Sequence, residues 1–224
     1  MNNYYVHAQE RVRSLMVSIF GWMTYALVLT GLASVYVYSS PQVLHMVHTN
    51  TGIVIGLVLA QFALVIALSA GVNRFSFNTA LILFTLYSVL TGIMLSSIFV
   101  VFTMTSIVAT FFIAASMFAA MALYGAITNA DLTSWGTYLM MAMIGLIIAM
   151  LVNMWLHSPA FEFLISIIGV IVFAALTAWD VQRFKQLAHY ELPEAASLAF
   201  ALSLYLDFIN LFLYLLRFMG QRKE

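Results

Sequence analysis

Residues 104–127 read MTSIVATFFIAASMFAAMALYGAI, and these 24 positions hold no Asp, Glu, Lys or Arg. As an α-helix the stretch is about 36 Å long, enough to cross a hydrocarbon core of about 30 Å. Its apolar positions do not alternate, so the strand pattern of a membrane β-barrel is absent. Six further runs of the same kind flank it, at about 15–38, 51–72, 77–99, 134–156, 161–182 and 196–218. Turn chemistry separates them: Ser39-Ser40-Pro41, Gly71-Val72-Asn73-Arg74, Thr128-Asn129-Ala130-Asp131 and His157-Ser158-Pro159. Only a few residues divide the third run from the fourth, which predicts a tight antiparallel hairpin.

The whole chain agrees. Of 224 residues, 64% are hydrophobic and 7% charged, and the mean hydropathy is +1.04. A soluble domain carries about 25% charged residues, so a water-soluble globule and a disordered chain are both excluded. Seven spans, six loops and two tails use the full length, giving one transmembrane domain over residues 1–224. The expected fold class is an all-α integral membrane protein.

Eight basic residues balance eight acidic ones, so no basic field exists for nucleic acid. With no cysteine, disulfides and thiol chemistry drop out. The histidines at 7, 45, 48, 157 and 189 form no metal-ligand motif. His45 and His48, an i, i+3 pair beside Pro41, are expected in an ordinary loop, the alternative being a weak metal or proton site. No resident cofactor and no enzymatic activity are expected.

Glu10, Arg11 and Arg13 precede the first run, which is longer than the apolar core of a signal peptide and lacks a small-residue cleavage site. The first span is therefore expected to stay in the mature protein. Arg11, Arg13, Arg74, Arg183 and Lys185 fall on one side of the membrane, while loops 39–50, 100–103 and 157–160 hold no Lys or Arg. This places the N-terminus in the cytoplasm. Arg217, Arg222 and Lys223 then lie outside if the last run spans, or inside if it is re-entrant. The length of 196–218 favours spanning.

Two carboxylates interrupt the apolar runs. Asp180 ends Gly169-Val-Ile-Val-Phe-Ala-Ala-Leu-Thr-Ala-Trp-Asp180, and Asp207 lies inside Ala201-Leu-Ser-Leu-Tyr-Leu-Asp-Phe-Ile-Asn-Leu-Phe212. An Asp at the centre of a spanning helix costs roughly 2.5–3.5 kcal/mol on insertion scales, so it faces protein or water and has a partner. Ser203, Asp207, Asn210, Tyr214 and Arg217 follow one another at spacings of 4, 3, 4 and 3, which puts them on one helical stripe. Two roles stand for Asp207, interhelical hydrogen bonding or a functional ionisable site. Two also stand for Asp180, a solvated interfacial carboxylate near Arg183 or a partner of Asp207. Their depths match only if the sixth helix continues past residue 182, and Gln182-Arg183-Phe184-Lys185-Gln186 contains no helix breaker. Two carboxyls meeting in a poorly hydrated site share one proton and titrate in coupled steps. Such a pair is a pH latch, and deprotonated it offers hard oxygens to Ca²⁺. Arg74 is on the same side, either as a compensating charge or as a plain anchor.

Residues 201–212, continuing to Leu215-Leu216-Arg217-Phe218, resemble the C-terminal signature of the Bax inhibitor-1 family, above all its bacterial calcium-leak members. Residues 169–180 are similar to the sixth-helix motif, with Trp179 where many members have Tyr. The resemblance covers essentially the whole chain. It implies two three-helix layers around a central seventh helix and a pH-sensitive passive Ca²⁺ leak. It also implies that Asp180 and Asp207 form the closed-state latch and hold calcium only in transit. Arg74 falls where bacterial relatives carry an Arg paired with the sixth-helix Asp, although Asn73 and Phe75 replace a more basic cluster. Asn210, Ser203 and Tyr214 are expected to support the pair. Thr85, Ser88, Gly92, Ser96 and Asn153 are expected mainly as packing positions, and otherwise line the route.

Other chemistries fit less well. An intramembrane aspartyl protease needs Gly-x-Gly-Asp, and here Leu204-Tyr205-Leu206 precede Asp207. A retinal protein needs a Lys in the last helix, and the lysines are 185 and 223. The alternative from another class is a non-transporting regulator that binds other membrane proteins, such as a membrane protease, through Met1–Ser14 and loop 182–195. The expected partners are the lipid bilayer, calcium ions and, in that alternative, a membrane protein. The expected location is the bacterial inner membrane.

Overall fold

The computed structural model describes residues 2–223, with side chains described from residue 9 onward. The described residues form α1 (Asn2–Ser39), α2 (Pro41–Thr49), α3 (Thr51–Ala70), α4 (Phe77–Leu95), α5 (Ile98–Val101), α6 (Met104–Ile127), α7 (Trp135–Leu156), α8 (Pro159–Leu187) and α9 (Ala196–Met219). Among the described residues, seven helical segments are long and apolar enough to cross a membrane. The chain is an all-α integral membrane protein.

The helices group into two compact units. The first runs through residue 101 and takes in Leu187–Tyr205 and Lys223. The second comprises Phe102–Gln186 and Leu206–Arg222. The last helix thus contributes residues to each.

In the first unit, α1 packs along α4. Gly92 permits this, because its Cα lies against the Thr30 carbonyl and Ala33, where a side chain would collide. Thr30 Oγ1 bonds the Ser88 carbonyl at 2.9 Å and the Tyr205 hydroxyl at 2.6 Å. Tyr205 is fully buried and meets the rings of Phe84 and Tyr87 edge-on. Side-chain oxygens cap the helix starts. Asn50 accepts from Gly52 and Ile53 at α3, and Ser76 accepts from Thr79 at α4.

Two expectations are corrected here. Residues 41–49 are not loop but the helix α2. Pro41 at its first turn starts it, and Val43, Leu44, Val47 and His48 fall on one partly buried face. The third span does not run unbroken to 99. Its helix α4 ends at Leu95, where Ser96 and Ser97 bond back to the carbonyls of Ile93 and Met94 at 2.6 and 3.0 Å, and the same apolar span continues through α5 to Val101.

In the second unit, glycines again set the close approaches. Gly125 of α6 lies against the Ala178 backbone of α8, Gly136 of α7 against the Trp179 ring, and Gly169 of α8 against the Tyr214 ring of α9. Phe208 packs edge-on with Phe111 and Phe118, with centroids 5.5 and 5.6 Å away. Thr103 caps α6, and His157 closes α7 in the left-handed region at φ 49°.

The end of the chain returns against the α5–α6 connection. Thr103 N–H bonds the Gln221 carbonyl at 3.0 Å, and Lys223 N–H bonds the Val101 carbonyl at 2.9 Å. The C-terminal residues therefore lie at the end of α9 that shares a side with residues 101–103. The last segment, α9, is one unbroken helix of 24 residues, long and apolar enough to cross a membrane. Of the spanning segments α9 is also the most covered by protein, with 67% of its most apolar window buried against 44% for α8.

Candidate functional site

The second unit brings Asp180 of α8 and Asp207 of α9 together. Both are buried, at 3% and 6% exposure, and the Asp180 carboxyl is near enough to act electrostatically on that of Asp207. Asp207 Oδ2 is buried with no hydrogen-bond partner among the described residues. The burial of Asp180 removes its reading as a solvated interfacial carboxylate. Arg183, one turn on, is exposed and lies over the Trp179 ring at 5.1 Å.

The depth mismatch is resolved by helix length. α8 continues to Leu187, five residues beyond the expected end at 182. Val181, Gln182 and Phe184 are buried in this extension, which is the packing that holds the helix together there. Asp180 is thereby an interior residue of a 29-residue helix, and Asp207 sits at the middle of α9.

Four residues of α8 fix it around Asp180. Ala178 rests on Gly125 and Trp179 on Gly136. Gln182, 8% exposed, ties the α6–α7 connection, accepting from Leu132 N–H at 2.9 Å and donating to the Ala130 carbonyl at 2.8 Å. Lys185 Nζ donates to the Ala126 carbonyl at 2.7 Å, near the C-terminal end of α6. Gln182 is the positioning residue that the sequence did not single out. Its signal was slight, one of two amides in the polar run 182–186. In the same connection Asp131 accepts from Thr133, whose hydroxyl and backbone N–H hold its carboxyl below the ordinary range.

The expected supporting residues divide. Asn210 spends its amide on the Leu206 carbonyl of its own helix at 2.8 Å. Tyr214 is buried, stacks on Phe173 and donates to Met150 Sδ at 3.4 Å. Ser203 belongs to the first unit. Arg74 also lies in the first unit, exposed on the turn between α3 and α4. Thr85, Ser88, Gly92 and Ser96 take part in packing within that unit. Thr85 meets Tyr25 at 3.2 Å, and Ser96 meets His48 Nε2 at 2.8 Å. Asn153 accepts from Ser158 N–H at 3.2 Å.

Chemically, two buried carboxyls in mutual range hold one proton cheaply and two negative charges at high cost. Removing the proton makes a hard, anionic oxygen cluster suited to a passing hard cation.

Residues 12–224 match the family model described as Inhibitor of apoptosis-promoting Bax1. The chain is 45% identical over 224 residues to inner membrane protein YbhL of Escherichia coli, covering 97% of this chain and 96% of that one. A protein of Borreliella burgdorferi is 44% identical over 214 residues, covering 93% and 92%. One of Rickettsia prowazekii is 43% identical over 220 residues, covering 96% and 92%. With a family model matching nearly its whole length and relatives this similar end to end, the chain belongs to the Bax inhibitor-1 family.

Proposed function

We propose that this protein is a passive, pH-sensitive calcium leak of the bacterial inner membrane, gated by the carboxyl pair Asp180–Asp207. The observation that carries the reading is the burial of both carboxyls within electrostatic range of each other. A helix pair serving only as structure gains little from two such groups, since each is costly to bury. The membrane is inferred from the similarity to an inner membrane protein. The cytoplasmic N-terminus is inferred from the clustering of Arg11, Arg13, Arg74, Arg183 and Lys185 on one side.

In the closed state one shared proton holds α8 and α9 together. A change in protonation breaks this latch. Calcium, as cargo, then meets the exposed carboxylates and moves down its gradient. The role is not enzymatic and uses no resident cofactor. Flux into dye-loaded proteoliposomes tests the reading. Asp207→Asn should flatten or displace the pH dependence between pH 5 and pH 8, whereas an unchanged profile would remove Asp207 from the gate.

A second reading has its own observation. Arg11, Ser14, Leu15 and Ser18 of α1 line a cavity of about 530 Å³ with residues of the segment 188–197. This groove suits a docking segment of another membrane protein, in line with a regulator that carries no ions. A protein with full partner binding but no flux would favour it.

A further inference from the structure

We propose that the second unit carries a binding site for the phosphate of an anionic phospholipid, at the end of α7, α8 and α9 where the chain terminates. A cavity of about 480 Å³ opens there, lined among others by Met150, Met154, His157, Glu162, Arg217 and Arg222. Its two arginines face one carboxylate, so the lining is net positive before His157 is considered.

The partners of each cation decide which charge is available. Arg222 pairs with Glu162 at 3.3 Å. Arg217 instead donates to Met150 Sδ at 3.5 Å and lies 5.7 Å from the Tyr214 ring. A thioether is a weak acceptor, and neither partner carries charge. The Arg217 guanidinium therefore keeps most of its planar donor fork for a further ligand, and phosphate oxygens match that fork.

The rest of the cavity selects a lipid over a free anion. Arg217 is two residues from the end of α9, roughly 3 Å along its axis, which is the headgroup level for a spanning helix. Methionine side chains form the apolar wall. Met154 of the lining is exposed, as are Phe163 of α8 and Phe218 of α9, and Trp155, the next residue of α7, is 83% exposed, as at an aromatic interfacial belt. A charged mouth over an apolar flank fits a phosphate with acyl chains attached. It also accounts for a basic end of α9 on the side whose loops 39–50, 100–103 and 157–160 hold no Lys or Arg.

This site is independent of the calcium reading. Native mass spectrometry of the full chain in neutral detergent, with equimolar phosphatidylglycerol and phosphatidylcholine, tests it. Wild type should retain phosphatidylglycerol preferentially. Arg217→Gln should lower that preference about tenfold, while Arg183→Gln, on an exposed arginine near the far end of α8, should keep it. Thermal protection by phosphatidylglycerol of wild type and of the charge-conserving Arg217→Lys supplies a readout that does not need the glutamine variant to fold. Equal retention of the two lipids by wild type would overturn the proposal. So would equal losses in Arg217→Gln and Arg183→Gln, or absence of thermal protection. Displacement of the lipid by equimolar inorganic phosphate would also overturn it, by assigning the site to free anions.

Discussion

Gly125 of α6 lies directly against the backbone carbonyl of Ala178 in α8, so the two helices meet with no side chain between them, two residues before Asp180. This contact sets where Asp180 stands. Gly125→Ala would place a methyl on that carbonyl, and the helices must separate to admit it. Overpacking of this kind costs about 1–3 kcal/mol. The thermal midpoint in detergent should fall accordingly, and any pH-dependent flux should change with it. A variant as stable as wild type would show that α6 and α8 have room to spare.

Gln182 makes two bonds that hold the α6–α7 connection, to Leu132 N–H and the Ala130 carbonyl. Gln182→Leu would leave both backbone groups unsatisfied at a cost of about 1–3 kcal/mol each where they stay buried. Hydrogen exchange should rise at residues 130–132 before it rises elsewhere. Unchanged protection there would mean that the connection is held by other contacts.

Much of this architecture is legible in the sequence, for a physical reason. A bilayer demands some twenty apolar residues per crossing, so the seven spans and the two interrupting carboxylates stand out against their background. Residues 104–127 coincide with α6 at both ends. The misreadings arise where that demand lapses. α2 is too short to cross, and its partly buried face of Val43, Leu44, Val47 and His48 sits between Pro41 and Asn50, which suggest a loop. The break at Ser96-Ser97 depends on hydroxyls turning back on the helix carbonyls, which hydropathy does not see. The meeting of Asp180 and Asp207 depends on α8 continuing to Leu187 and on glycines whose neighbours come from distant parts of the chain. Stripe spacing marked Asn210 and Tyr214, but cannot show that one bonds its own helix and the other a methionine.

Tyr205 is a polar residue of α9 that lies off the stripe of Ser203, Asp207, Asn210, Tyr214 and Arg217. Its hydroxyl meets Thr30 at 2.6 Å inside the first unit. Tyr205→Phe should cost about 0.5–1.5 kcal/mol, because Thr30 keeps its bond to the Ser88 carbonyl. Thermal unfolding of this variant beside Thr30→Val, with the double variant, measures the coupling. Strict additivity of the two would rule out the bond.

Asp131 provides a pH effect outside the spans. Its carboxyl is held low by the Thr133 hydroxyl and N–H. A carboxyl depressed in the folded state favours folding above its unfolded value, and the contribution is lost as the pH falls through the folded one. Thr133→Val should bring Asp131 back up toward the ordinary range in a carboxyl NMR titration. An unmoved titration would mean that the hydroxyl plays no part.

The buried pair Asp180–Asp207 is proposed to gate calcium. Calcium influx into dye-loaded proteoliposomes at pH 6, 7 and 8, with wild type beside Asp180→Ala/Asp207→Ala, measures this most directly. Wild type should show a pH-dependent flux, and the double variant a flux that no longer follows pH. No flux above empty liposomes from folded wild-type protein, or the same pH profile in both proteins, would contradict it.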